Sequence, residues 1–269
     1  MVKNSLEEVL FYLNKKILVI GDFCIDRFVY GSSSRINPEA PVPIFNPTET
    51  IENYGMSGNV AANLASLGYD VDLICNKNKI IKTRFVDIES NHMHLRVDEN
   101  DNVSPKDSYK DADIVFDTYD AVVLTDHDKG FISEQNIQEI SNKHRLVFLQ
   151  SNKLIGDWAR NIAYLKINMK EFLRSEEFIR ISSLMSKTII TDGANGCFFN
   201  DDHFKINKTV VTRDLSGAGD TFLSVFVDSI LNDNNVNKSI LKAQNASIEI
   251  VQQRGVATIG DIENEINFL

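Results

Sequence analysis

The chain has 269 residues, enough for one large α/β domain or two small ones. Its 43% apolar and 25% charged residues are ordinary for a soluble globular protein. A net charge of −10 argues against broad binding to nucleic acid or to a membrane surface, although a local basic pocket can still take an anionic substrate.

Along the chain, short apolar runs alternate with helical patterns. Strands are predicted at Ile17–Ile20, Val71–Ile74, Ala121–Leu124, Leu146–Leu149, Tyr164–Ile167 and Thr188–Thr191. Helices are predicted over about 59–67, 131–143, 169–185 and 237–253. Near-continuous apolar runs suit a parallel sheet covered on both faces, so the alternation predicts a doubly wound α/β layer structure with a mostly parallel sheet. Two stretches break the rhythm. Residues 26–50 hold four of the five prolines, and residues 82–98 alternate polar and apolar. Both suit a small antiparallel β lid at one edge of the sheet, and residues 1–269 read as one domain carrying it. Cys24, Cys75 and Cys197 are far apart and read as reduced thiols beside apolar runs, which suits a cytoplasm. His92 and His94 alternate on a predicted strand without the company that a metal site needs. No apolar run approaches about 18 residues, and Met1–Glu8 lacks a signal-peptide pattern, so a cytoplasmic protein without a membrane segment is expected.

The most informative segment is Asp214-Leu-Ser-Gly217-Ala218-Gly219-Asp220-Thr-Phe222. Phe222, Val225, Phe226 and Ile230 share one face of a helix that opens at the glycines. A helix start of small residues offers unpaired N–H groups and the positive dipole end to an anion. Asp220 stands in the same turn, where a carboxylate beside an anion needs a task such as accepting a proton. Donors for a phosphate and a base beside them are the minimum for phosphoryl transfer. The plainer alternative is a loop-to-helix turn in which Asp220 merely favours the dipole. No Lys-Ser/Thr follows the glycines, so this is not a Walker loop.

Other segments add to it. Asn168-Met-Lys-Glu171 follows a strand directly, and an amide and a carboxylate three apart can hold a hydrated magnesium ion through water. Thr191-Asp-Gly193-Ala-Asn-Gly196 also follows a strand, with glycines suited to close nucleotide approach. Gly55, Gly58, Asn59 and Asn63 precede or open an early helix. Gly21-Asp22 and Asp26 end the first strand, where open α/β sheets bind ligands. The order of these segments resembles the ribokinase-like (PfkB) carbohydrate kinase family over about residues 15–258. Ser34-Arg35-Ile-Asn-Pro-Glu-Ala-Pro-Val-Pro43, Gly58–Gly68 and Thr125-Asp-His-Asp-Lys-Gly130 narrow the resemblance to the heptose-7-phosphate kinase domain of bifunctional lipopolysaccharide-precursor enzymes. The nucleotidyltransferase half of those enzymes has no counterpart among these residues.

The resemblance implies a ribokinase-like fold and transfer of the γ-phosphoryl of ATP, with Mg2+, to the anomeric hydroxyl of a heptose 7-phosphate. It implies Asp220 as the base, the N–H groups of Gly217, Ala218 and Gly219 as donors to the transferring phosphoryl, and Asp214 as organiser of that region. It places Thr191, Gly193 and Gly196 on the nucleotide, with Gln244 or Asn245 near the adenine, depending on a one-residue shift. Asn168 and Glu171 would hold magnesium and phosphates; Glu171 could equally be an ordinary first-turn carboxylate. Asp26, Gly58 and Asn59 would serve the sugar, unless Asp26 simply caps a turn. Arg35 and Arg84 are candidates for the substrate's own phosphate, because a guanidinium fork matches phosphate geometry; Arg35 could instead be a lid or dimer residue. Asn63 would fix its helix, and the roles of Asp126 and Lys129 stay open. A homodimer through the lid is expected, since exposed strand edges tend to find partners and such relatives commonly pair this way.

The sequence also departs from that pattern. The family's paired glycine is Gly55-Met56, its Asp-Pro-Lys is Gln150-Ser151-Asn152, and its proline before N-x-x-E is Ile167, preceded by Lys166. After Cys75 a loop, a helix and a strand of the family are missing. Three rivals stay open: a kinase of another sugar or a nucleoside, a degenerate kinase kept as a binding module, and a nicotinamide-dependent dehydrogenase. The last lacks a G-x-G-x-x-G after the first strand.

Overall fold

A computed structural model describes residues 15–103, 109–208, 210, 212–253, 255–256, 258–259 and 266–268. In chain order the elements are β1 (Lys16–Gly21), β2 (Phe23–Ile36), β3 (Pro43–Met56), α1 (Ser57–Ser66), β4 (Asp70–Cys75), β5 (Ile80–Asp87), β6 (Met93–Glu99), β7 (Ala121–Asp126), α2 (Glu134–Lys143), β8 (Val147–Ser151), β9 (Tyr164–Asn168), α3 (Met169–Ile181), β10 (Thr188–Thr191), β11 (Cys197–Phe199), β12 (Asp202–Phe204), α4 (Ala218–Asp233), α5 (Val236–Ile250) and β13 (Ile266–Phe268). The main sheet runs β12-β11-β10-β9-β8-β7-β1-β4-β13, parallel except at β10-β11 and β11-β12.

Burial explains the continuous apolar runs. On β1, Leu18 and Ile20 join the core beneath α2 and α3, while Ile17 and Val19 join the core beneath α1, α4 and α5. Both faces of the strand are covered, so both need apolar side chains. All six predicted strands are present, as β1, β4, β7, β8, β9 and β10. The predicted helix 131–143 starts later, at Glu134. Ser133 and Asn136 form a reciprocal capping box there, and Phe131 is instead a buried loop residue whose N–H donates to Asp22. The predicted helix 169–185 stops at Ile181, capped by Ser182.

The lid is a separate sheet of order β3-β2-β5-β6. It is longer than the expected segments, since β2 and β3 each run 14 residues. It is also not wholly antiparallel: β5 lies parallel to β2, with Asp26 beside Lys82. The missing helix and strand explain this. After β4 the chain passes through Asn76–Lys79 straight into the lid. Asn76 ties the short cut down: Phe23 N–H donates to its Oδ1 at 2.6 Å, and its Nδ2 donates to Phe23 O at 3.1 Å. Beyond β4, the sheet edge is covered by β13. At the lid–helix junction Met56 has φ 57° and ψ −127°, a backbone shape suited to glycine. Holding a methionine there costs roughly 1–3 kcal/mol.

Candidate active site

The site forms at the carboxyl ends of the parallel strands, under the lid, where α4 begins. Gly217 has φ 81° and caps α4; a Cβ on it would lie 2.7 Å from Asn59 Nδ2. That conformation aims the first turn at the sheet. Among the predicted donors, Ala218 N–H is already given to Leu215 O at 3.3 Å, whereas Gly217 and Gly219 N–H show no such loop contact among the described residues. Asp214 is half-buried, and its Oδ1 accepts from Ser216 N–H at 2.8 Å, which braces the turn.

Asp220 is buried in that turn. Its Oδ2 accepts from Asn59 Nδ2 at 3.1 Å and its Oδ1 accepts from Gln150 Nε2 at 3.2 Å. Asn63 orients Asn59: its amide donates to Asn59 Oδ1 at 3.0 Å, leaving Asn59 Nδ2 for Asp220. Gln150 in turn accepts from Lys166 Nζ at 3.0 Å. Lys166 is buried, and burial holds its pKa below the usual lysine value, with Asp220 and Glu171 opposing. A Cβ on Gly219 would sit 2.8 Å from Lys166 Nζ, so the amine lies directly beneath the glycine turn. Gln150 and Lys166 looked like departures from the family pattern. Gln150 touches Asp220 and Lys166 touches Gln150 because of how adjacent parallel strands line up, which no local motif announces.

On one side of this turn lies a mostly apolar cleft of about 540 Å³. Thr191, Gly193, Gly196, Ala218, Gly219 and Gln244 line it, together with Ile248, Val251 and Lys208. Gln244 is buried with Oε1 accepting from Cys197 Sγ at 3.3 Å, whereas Asn245 is exposed and does not line the cleft. Of these two neighbours, Gln244 is the one that faces the cleft. Gly196 is required on steric grounds: its φ is 95°, and a Cβ would meet Phe204 O at 2.0 Å. Asn168 and Glu171 form a capping box at the start of α3, with Asn168 N–H donating to Glu171 Oε2 at 2.7 Å and Glu171 N–H to Asn168 Oδ1 at 3.0 Å. Each carboxylate oxygen keeps a second lone pair for a water.

On the other side is the lid. Asp26 is buried and paired with Arg84, whose guanidinium also stacks over Phe28. Gly55 leaves room for Asp26: a Cβ there would lie 2.2 Å from Asp26 Oδ2. Gly58 serves packing, since a Cβ would lie 2.5 Å from the Phe23 ring. Cross-strand neighbours share a face, so Asp26, Lys82 and Asp98 form one row and Arg84 and Arg96 the next. Asp26, Lys82, Asp220 and Arg84 all act electrostatically on Cys24, which places them around one space; burial pushes that thiol up to about 12. Arg35 is not among them. It is exposed near the far end of β2, nine residues beyond Asp26, or roughly 30 Å along the strand.

Comparison with known proteins agrees with this fold. Residues 157–263 match the model of the pfkB family carbohydrate kinases. The chain is 29% identical to the bifunctional protein HldE of Haemophilus influenzae strain PittEE and 27% identical to that of Histophilus somni, over 93% of its own length in each case. It spans 63% of the length of those proteins. Solved structures with a similar fold include the nucleoside kinase of Methanocaldococcus jannaschii, at TM-score 0.66 and 15% identity over 94% of this chain and 95% of that one. Arabidopsis thaliana ribokinase complexed with ribose and ATP matches at TM-score 0.65 and 14% identity over 91% and 94%. Phosphofructokinase-2 of Escherichia coli matches at 0.69 and 12% over 91% and 95%.

Proposed function

We propose that the chain is a carbohydrate kinase of the pfkB family and that it transfers the γ-phosphoryl of ATP to a hydroxyl of a sugar phosphate. The observation that carries this reading is Asp220: a buried carboxylate in the first turn of a glycine-opened helix, between an apolar cleft and a charged lid face. The apolar walls around Gln244 and Val251 suit an adenine, and Gly193 and Gly196 admit the ribose closely. Gly217 and Gly219 N–H groups and the Lys166 amine then meet the phosphate end. Asn59 and Gln150 fix both oxygens of Asp220, so its remaining lone pairs point at one place, where a sugar hydroxyl gives up its proton. Donors aimed in advance need no reorganisation when charge develops.

Magnesium, when bound, supplies positive charge to the nucleotide phosphates. Asn168 and Glu171 fit a water-mediated hold on it, because the capping box leaves their outer lone pairs exposed. Glu171→Gln is expected to raise the magnesium needed for half-maximal rate several-fold, since one negative charge beside the ion is lost. A magnesium titration identical to the parent's would make the pair structural.

The acceptor reading rests on the lid face. Lys82, Arg84 and Arg96 outnumber Asp26 and Asp98 there, which suits an acceptor that already carries a phosphate, and the HldE similarity favours a heptose 7-phosphate with phosphorylation at the anomeric hydroxyl. Arg35, exposed near the far end of β2, lies outside this face. ADP release measured with heptose 7-phosphates, hexose phosphates, free sugars and nucleosides tests the whole reading. Preference for a sugar phosphate is expected. Equal rates on free and phosphorylated sugar would remove the phosphate, and no ADP with any acceptor would leave a binding module.

We further infer a homodimer through the lid. Met93, Leu95 and Val97 on β6 and Ile36 and Ile51 on β2 and β3 are large, apolar and exposed, and both outer strands of the lid present unpaired edges. Light scattering is expected to give twice the 30.4 kDa of one chain. A single-chain mass across micromolar concentrations would overturn the pairing.

A further inference from the structure

The loop after β7 carries a side chain that the mechanism above leaves unused. His127 follows Asp126 at the carboxyl end of β7. Its backbone N–H donates to Asp22 Oδ2 at 2.8 Å, and those of Lys129 and Phe131 donate to the same carboxylate at 3.2 and 3.3 Å. Asp22 is fully buried. Asp128 N–H donates to Asp126 Oδ1 at 3.0 Å. The backbone is therefore tied down on both sides of His127.

The imidazole stands where the main sheet, the lid and α4 converge. Asp220 of α4, Lys82 of β5, Asp22 between β1 and β2, and Asp126 of β7 all act on it electrostatically. Burial, helped by Lys82, holds its pKa below the usual histidine value, while the three carboxylates oppose. Its Nε2 is buried and has no hydrogen-bond partner among the described residues. A buried polar nitrogen left unpaired destabilises a fold, so such an atom calls for an explanation in what it is meant to meet.

Resting on the kinase reading, we propose that His127 is a specificity-determining residue whose Nε2 hydrogen-bonds a hydroxyl of the acceptor sugar, beside the hydroxyl that Asp220 deprotonates. A neutral imidazole offers either one N–H or one lone pair at that atom, and a hydroxyl, which both donates and accepts, can answer either. The phosphate of the acceptor is a poor match, because Asp22, Asp126 and Asp220 surround the ring. The occupant is therefore the polyol part of the substrate. Sequence motif and fold both hide this role, since the residue lies in a loop and its partners come from four different elements.

The test uses the full chain and the acceptor with the highest kcat/KM in the panel above, with its monodeoxy analogues. His127→Phe keeps a flat ring and removes the polar atom. It is expected to lower kcat/KM for the acceptor by about ten- to a hundredfold, chiefly through KM, with KM for ATP within about twofold of the parent. One monodeoxy analogue should cost the parent a similar factor and cost the variant little further. His127→Gln, which restores a polar end, should recover part of the loss. Unchanged kcat/KM in His127→Phe, with the same pattern across the deoxy analogues, overturns the proposal while the kinase reading stands. No turnover of any acceptor by the parent overturns both. If the phenylalanine variant fails to fold, His127→Met takes its place in the same comparison.

Discussion

Asp220→Asn is expected to lower kcat by about 10²–10⁴-fold, the usual span for loss of a general base. An amide cannot take the proton of the acceptor hydroxyl. The variant should still fold, because the shape of the side chain is kept. It will fold less favourably, and the hydrogen bonds say why. Both carboxylate oxygens accept from amide N–H groups, one of Asn59 and one of Gln150. An asparagine has only one acceptor oxygen, so its own NH2 must face one of those two donors. Gln150 cannot turn over to help, since its oxygen already accepts from Lys166. A lost hydrogen bond of this kind costs about 1 kcal/mol, far less than the effect on rate. Circular dichroism and a thermal melt check the fold, and steady-state ADP release checks the rate. Near-parental turnover in a folded Asp220→Asn protein would remove Asp220 from the chemistry.

Lys166→Met should separate activity from stability. The amine lies beneath the glycine turn, bonded to Gln150 and within electrostatic reach of Asp220, where the proposed reaction would set positive charge against the transferring phosphoryl. Removing a preorganised electrostatic partner of this type costs about 10²–10³-fold in kcat. Stability should move little or rise at neutral pH, because a buried charge is exchanged for an apolar chain of similar length, offset in part by the donor that Gln150 loses. The pH dependence gives a sharper test. Burial lowers the folded pKa of Lys166 below the unfolded value near 10.5. Between those two values the unfolded chain binds the extra proton, so parental stability rises with pH across that window. Below the folded pKa the cost of the buried ammonium is fully present, and it fades as pH approaches the unfolded value. Lys166→Met lacks this titration, so any stability advantage it holds at neutral pH should shrink as pH rises through the window. Denaturant midpoints measured along that pH series check it. A constant difference between parent and variant would mean that Lys166 does not titrate in this way. Parental activity in the variant would remove the amine from phosphoryl transfer.

The layer structure was legible in the sequence because burial on both faces favours short, near-continuous apolar runs, and β1, β4, β7, β8, β9 and β10 each carry one. The start of α4 was legible too, since Gly217–Asp220 and the apolar stripe behind it are local features. So were three residues of the apolar cleft: Thr191 ends β10, Gly193 and Gly196 follow within five residues, and Gly196 is forced by its own backbone. One helix start was misplaced by three residues, because Ser133 and Asn136 close a capping box that a periodicity count cannot see, whereas the start at Met169 was read correctly. What only the tertiary structure decided is which distant side chains meet. Gln150 reaches Asp220, and Lys166 reaches Gln150, because β8 and β9 lie side by side. Asn245 is excluded and Gln244 admitted because one residue along a helix turns the side chain by about 100°. Arg35 sits in the most distinctive stretch of the sequence, yet an extended strand of 14 residues carries it away from Asp26. His127 gathers its neighbours from the main sheet, the lid and α4. Spacing along a chain measures local geometry, and these contacts are set instead by crossover connections and strand register.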